Sequence, residues 1–198
     1  MLNIKNLSVT LLSAGLLSAS LSSTYANAAT DVTPLFSVYE EACGYIDSTK
    51  STNAAKTYNT FKNSFIVHKE STTKGVYNGT IFSLKKNYVI PAPYKNAVAS
   101  ITMKKGDKHN KNSITYTVKF KDATYRKMPV SHLEIYLVPN SDDFYDAIYF
   151  KNSIKGLKPH FKYKRIDADE YNDEENLGAY LDSAKKLILC DGIVGSYK

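Results

Sequence analysis

The sequence predicts an α+β domain, in which short antiparallel strands form a sheet and a helix lies at each end of the chain. Three observations support this class. Apolar residues recur at helical spacing near both ends, they alternate with polar residues in the middle, and each predicted terminal helix carries or delivers one cysteine. We therefore expect the two helices to pack on one face of the sheet and to be tied together by one disulfide.

Residues 1–28 have the three parts of a secretory signal peptide. Lys5 is followed by an apolar stretch over 9–21 and then by the small-residue run Ala26-Asn27-Ala28. The apolar stretch is shorter than the roughly 20 residues that a membrane-spanning helix needs. The sequence thus predicts cleavage after Ala28, rather than a retained anchor, and a single exported domain over 29–198, in the periplasm or outside the cell.

The first predicted element of the exported part is a helix that begins at Thr33-Pro34. A hydroxyl before a proline is a helix-start signal, because proline has a preset φ and needs no N–H donor there. One face of this helix carries the apolar residues Leu35, Val38, Tyr39, Ala42, Cys43 and Ile46. The polar segment 48–59 that follows is compatible with a loop or with the start of another helix.

The middle of the chain has the alternation that is typical of strands. Short β-type runs occur at 65–67 and 97–103, and Asn78-Gly79 predicts a hairpin turn between two further runs. Apolar and polar residues alternate over 114–120, as in a strand with one wet face, and Leu133, Ile135 and Leu137 continue the alternation.

The last third of the chain is predicted to contain two helices. Ser141 with Asp142 and Asp143 favours a capped helix over 141–150, although the aromatic run 144–150 also suits a strand. A second amphipathic helix is indicated by Leu177, Tyr180, Leu181, Ala184, Leu187 and Ile188. This helix would deliver Cys190 and end near Gly192.

The two cysteines, Cys43 and Cys190, predict one disulfide. An even number of cysteines in an exported chain favours pairing, and this chain offers neither cysteine another partner. Closing so long a loop would constrain the unfolded chain by about 4 to 5 kcal/mol in the loop-entropy model. The alternative is two unpaired thiols.

The chain is basic, with a formal charge of +7 that falls to +6 when Lys5 leaves with the signal peptide. Nearly all the cations are lysines, which suit a solvated surface better than bidentate phosphate recognition. One stripe interleaves cations with aromatic residues and is a candidate anion-binding surface: Lys158, His160, Lys162, Lys164 and Arg165. The same stripe also suits an edge strand with a lysine-bearing face, which we favour.

No pattern in the sequence points to catalysis, a metal or a cofactor. The four histidines lack metal-ligand spacing, and the acidic run 167–175 lacks the central glycine of a calcium-binding loop. His132 and Glu134 would share one strand face and Ser131 the other, so no nucleophile, base and orienting group meet locally. We expect the acidic run to be a solvated loop.

Function is predicted mainly from composition. The chain holds 16 tyrosines and no tryptophan, and tyrosine is a rigid amphipathic side chain that suits protein interfaces. The leading prediction is an exported, non-enzymatic protein that binds another protein. Two alternatives stay open: a small secreted hydrolase or toxin using His132 and Glu134, and a binder of anionic polymer or lipid surfaces through the excess of lysine.

Overall fold

The computed structural model describes residues 28–41, 43, 52–141, 144–161, 164–165 and 179–191. The described strands are β1 (Thr30–Asp31), β2 (Ile66–Thr73), β3 (Val76–Leu84), β4 (Val98–Lys105), β5 (Ile114–Phe120), β6 (Ala123–Tyr125), β7 (Met128–Leu137), β8 (Phe144–Phe150), β9 (Lys164–Arg165), β10 (Ala179–Asp182) and β11 (Leu187–Asp191). The described helices are α1 (Thr33–Phe36), α2 (Asn53–Phe65) and short 3-10 turns at Ser37–Glu40, Tyr94–Asn96 and Lys155–His160.

The protein is mostly β, so the predicted α+β class with terminal helices on an antiparallel sheet is wrong. Nine of the described strands form one curled, mixed sheet, in the order β4-β5-β7-β8-β11-β10-β9, with β6 and β1 continuing from the start of β7. Most neighbours are antiparallel, but β1 pairs with β6, and β9 with β10, in parallel. β2 and β3 form a separate hairpin.

Over the described residues 33–40, the predicted N-terminal helix forms two short pieces. α1 is a single turn and continues as a 3-10 turn, and the backbone of Cys43 has a φ of 57°, in the left-handed region that ends helices. The main helix is instead α2, in the segment where a loop and a helix were both compatible with the sequence. The Thr52 hydroxyl accepts a hydrogen bond from Ala55 N at 3.2 Å and so caps its first turn.

The hairpin turn lies at Lys74-Gly75 and not at Asn78-Gly79. Both turn residues have positive φ, 51° and 79°, as a two-residue hairpin loop requires. Gly79 lies inside β3 with a φ of 128°, where the pairing with β2 shifts by one residue. The Asn-Gly pair therefore makes a bulge rather than a turn.

The described residues between 144 and 191 also differ from the prediction. Residues 144–150 form β8, the alternative that the aromatic run suggested, and the predicted C-terminal helix is replaced by the hairpin β10–β11. β11 lies between β8 and β10. Its run Leu187-Ile188-Leu189 suits an interior strand, since both edges of such a strand are paired and little of it meets water.

The core lies between the helices and the inner face of the sheet. α2 buries Ala55, Tyr58, Phe61 and Phe65. The sheet contributes the inward side chains of alternating positions: Tyr116, Val118, Leu133, Ile135, Ile148 and Ile188. Cys43 and Cys190 form the predicted disulfide, with Cα atoms 5.6 Å apart, although Cys190 is delivered by β11 and not by a helix. Among the described residues, no helix is long and apolar enough to cross a membrane.

Candidate functional site

The face of the sheet opposite the helices carries a group of aromatic and ionisable side chains. Successive side chains of a strand point to opposite faces of the sheet. The core therefore holds Leu133, Ile135 and Ile148, and the residues next to them in the chain point outward. Five outward side chains on β7 and β8 are partly exposed, and we call them the aromatic patch: His132, Glu134, Tyr136, Tyr145 and Tyr149.

Register brings the members of the aromatic patch together. His132 lies opposite Tyr149, and Tyr136 lies opposite Tyr145. The His132 and Tyr149 rings are stacked with centroids 4.2 Å apart, and the two tyrosine rings are stacked at 4.8 Å, each pair within 7° of parallel. Directly opposite residues on one face interact across antiparallel strands, so each stack holds its rings in a fixed orientation.

Glu134 lies between these two stacks. The Tyr149 hydroxyl donates a 3.0 Å hydrogen bond to its Oε2, and His132 Nε2 lies 3.8 Å from its Oε1. Its cross-strand neighbour Ala147 is buried beneath the surface of the aromatic patch. The carboxylate thus lies at the centre of an aromatic surface, with about a quarter of its side chain, 26%, exposed.

The ionisable groups of the aromatic patch are perturbed by burial and by Glu134. Burial lowers the pKa of His132, and the nearby Lys119 lowers it further against the opposing effect of Glu134. Burial and the Glu134 charge raise the pKa of Tyr145 to about 12 and that of Tyr149 further. At neutral pH the tyrosines are protonated, and a histidine with a pKa below its ordinary value is mostly neutral.

Ser131 contacts His132, contrary to the prediction that it lies on the opposite face. The pairing of β7 with β8 shifts between Val130 and His132, and the bulge brings Ser131 Oγ within 3.0 Å of His132 Nδ1. A neutral Nδ1 can accept the hydroxyl proton. The histidine–carboxylate hydrogen bond of a Ser-His-Glu triad is not formed, because the 3.8 Å between His132 Nε2 and Glu134 Oε1 exceeds hydrogen-bond length.

The opposite side of β8 carries a buried carboxylate that sequence reasoning missed. Asp146 has no exposed surface, and its Oδ2 accepts hydrogen bonds from the Tyr58 hydroxyl at 2.6 Å and from Lys62 Nζ at 3.1 Å. Tyr39 Oη lies 3.2 Å from Tyr58 Oη. One feature of the sequence could have predicted this buried carboxylate: Asp146 is a single aspartate inside the apolar run 144–150. A charged group that is buried in such a run needs hydrogen-bond partners in the core.

The candidate anion-binding stripe is only partly described. Lys158 and His160 are exposed on the 3-10 turn Lys155–His160, so the favoured strand interpretation is wrong for this part. Lys164 and Arg165 form β9 at the sheet edge, but their side chains, Lys162 and the acidic run 167–175 lie outside the described residues. Within the described part of the chain, no group of three histidine, cysteine, aspartate or glutamate side chains is placed to hold a metal ion.

Comparison with known proteins gives no relative for this chain. No protein-family model, no curated protein and no solved structure matches it. The functional argument therefore depends on the geometry of the described residues.

Proposed function

We propose that this protein is exported and acts by binding another protein through the aromatic patch. The observation that carries the proposal is that two ring stacks lie on the outward face of the sheet. One stack is formed by His132 and Tyr149, and the other by Tyr136 and Tyr145. Rigid aromatic side chains contribute large contact areas at a small entropic cost, which is why they dominate the energetics of protein interfaces.

Composition favours a protein partner over a sugar, because the chain contains no tryptophan. In each stack one face of a ring covers its neighbour. Tyrosine rings next to a carboxylate suit the mixed polar and apolar surface of a protein.

Export is the second part of the proposal. The Cys43–Cys190 disulfide is typical of proteins that mature in an oxidising compartment. Together with the signal peptide predicted over residues 1–28, it supports a protein that works in the periplasm or outside the cell.

The hydrolase alternative has one observation in its favour, the contact between Ser131 and His132. A serine activated by histidine reacts with fluorophosphonate probes, because they trap a nucleophilic hydroxyl. We expect no labelling of the wild-type protein and no loss of its cellular activity in Ser131→Ala. Labelling that disappears in Ser131→Ala would favour the hydrolase.

Site-specific photo-cross-linking tests the binding proposal. A photoreactive phenylalanine derivative is placed at Tyr136, within the aromatic patch, and at Val89 as the control, because Val89 is 76% exposed and lies outside it. We expect one discrete cross-linked protein from position 136 and none from position 89. The adduct should disappear when unmodified wild-type protein is added in excess.

The captured partner is then used to measure affinity. Tyr145→Ala removes one ring of the outer stack, and the loss of an aromatic hot-spot residue costs about 2 kcal/mol, roughly a 30-fold loss of affinity. Equal cross-linking from both positions, or an unchanged affinity in folded Tyr145→Ala, would show that the aromatic patch is not the interface.

A further inference from the structure

We propose that the partner places an arginine side chain on Glu134, between the two ring stacks of the aromatic patch. This inference rests on the proposed function, because it names the chemistry of the partner at the same surface. It is carried by three features of Glu134: its central position, its charge without an ion pair to a lysine or arginine among the described residues, and the aromatic rings on both sides along the strands.

The charge of Glu134 is not compensated within the described part of the chain. The ion-pair partner found there is His132, at 3.8 Å, and burial keeps that ring largely neutral at pH 7. Lys119 pairs in register with His132, one row away, and no ion pair joins it to Glu134 among the described residues. The Tyr149 hydroxyl satisfies one carboxylate oxygen, while Oε1 accepts no hydrogen bond from another described residue.

The surroundings of Glu134 favour a guanidinium over other cations. Tyr145 and Tyr149 flank Ala147, the cross-strand neighbour of Glu134, so rings stand on both sides of the carboxylate. A planar guanidinium can stack against a tyrosine ring while its N–H groups bind a carboxylate. An ammonium is more strongly hydrated and lacks the flat shape.

The apolar part of an arginine side chain also has a place to lie. The row of cross-strand partners through Glu134 continues to Ala147 and then to Leu189 on β11. This row is charged at Glu134 and apolar beyond it. An arginine that reaches Glu134 from the β11 side would lay its aliphatic stem on the half-buried Leu189, since Ala147 itself is covered.

NMR titration of the full exported chain with N-acetyl-arginine amide tests the proposal without the partner. The matched ligands are N-acetyl-citrulline amide, which keeps the shape but not the charge, and N-acetyl-lysine amide. We expect saturable shifts of amide signals in β7 and β8 with the arginine probe, and at least tenfold weaker binding of both other probes. Glu134→Gln should weaken arginine binding at least tenfold.

Glu70→Gln is the control variant, since Glu70 is an exposed carboxylate on the separate hairpin β2–β3. It should bind the arginine probe as wild type does. Equal binding of arginine and citrulline, binding of lysine as tight as arginine, or unchanged binding in Glu134→Gln would each overturn the inference.

The two proposals fail in different ways. If no arginine binds but Tyr145→Ala still weakens the cross-linked partner, the interface stands and the arginine assignment is wrong. If arginine binds as expected but Tyr145→Ala leaves the affinity for the partner unchanged, the aromatic patch binds arginine but is not the interface, and the partner does not place its arginine there.

Discussion

The Tyr58 hydroxyl on α2 donates a 2.6 Å hydrogen bond to the Asp146 carboxylate on β8, across 88 positions of the sequence. Both side chains are buried, and Lys62 from the next turn of α2 reaches the same oxygen. A buried carboxylate is costly unless donors surround it, so these contacts fix where α2 lies on the sheet. The outward neighbour of Asp146, Tyr145, belongs to the aromatic patch.

Tyr58→Phe should destabilise the protein and Tyr116→Phe should not. The first change removes a hydrogen bond to a buried carboxylate, which costs about 1.5 to 3 kcal/mol. The Tyr116 hydroxyl is also buried, but it has no hydrogen-bond partner among the described residues, so its loss should be close to neutral. Urea unfolding of both variants would compare them, and equal effects would contradict the assigned role of Asp146.

Removal of the Cys43–Cys190 disulfide should cost about 4 to 5 kcal/mol, because the bond joins residues 147 positions apart. The double variant Cys43→Ala with Cys190→Ala should show this loss in urea unfolding. The loss should match that of the reduced wild-type protein. A loss below about 1 kcal/mol would mean that the unfolded chain is not appreciably constrained by the bond.

Gly79→Ala should be more costly than Gly75→Ala. A Cβ atom at Gly79 would overlap the Asn140 side chain, whose Oδ1 accepts a 2.8 Å hydrogen bond from Thr80 N, and the φ of 128° is strained for alanine. We expect a loss above about 2 kcal/mol. Gly75 also has positive φ, but no atom lies within 4 Å of its added Cβ, so about 1 kcal/mol is expected. Similar losses would mean that the contact with Asn140 adds nothing.

His132 should make the protein less stable as the pH falls below its ordinary pKa of 6.5. Burial lowers the pKa of His132 in the folded state, so the unfolded chain binds a proton at higher pH than the folded protein does. Acidification therefore stabilises the unfolded state relative to the folded state. The stabilisation from the neutral ring is complete above about pH 6.5 and decreases below it until the folded pKa is passed.

Urea midpoints measured between about pH 8 and pH 5 test this dependence. The decrease should be smaller in His132→Gln, which has no titrating ring. This pH range lies above the ordinary pKa values of the Glu40 and Asp107 carboxyl groups. Because the pKa values of both are lowered in the folded protein, they affect stability only at more acidic pH. An identical pH dependence in wild type and variant would contradict the prediction.

Cleavage after Ala28 should give a mature chain that begins at Ala29. Small residues at Ala26 and Ala28 are what signal peptidase accepts. Intact mass spectrometry of the exported protein measures the product directly. A mass that retains residues 1–28 would contradict cleavage, and blocking the site with Ala28→Arg should produce that larger mass.

The sequence by itself determined the strands with strict alternation and the disulfide. The pattern over 114–120 predicts β5, because only one face of that strand meets the core and a period of two is then unambiguous. With two cysteines in the chain, Cys43 had one possible internal partner.

The tertiary structure decided the rest of the fold and the candidate site. The apolar positions over 177–188 fit a helix, yet β8 and β10 supply paired edges that make 187–191 an interior strand. Asp146 is tolerated because Tyr58 and Lys62 reach it from α2. The aromatic patch forms because register places His132 opposite Tyr149 and Tyr136 opposite Tyr145. Spacing along the chain reports local periodicity, whereas register and buried partners depend on residues far away in sequence.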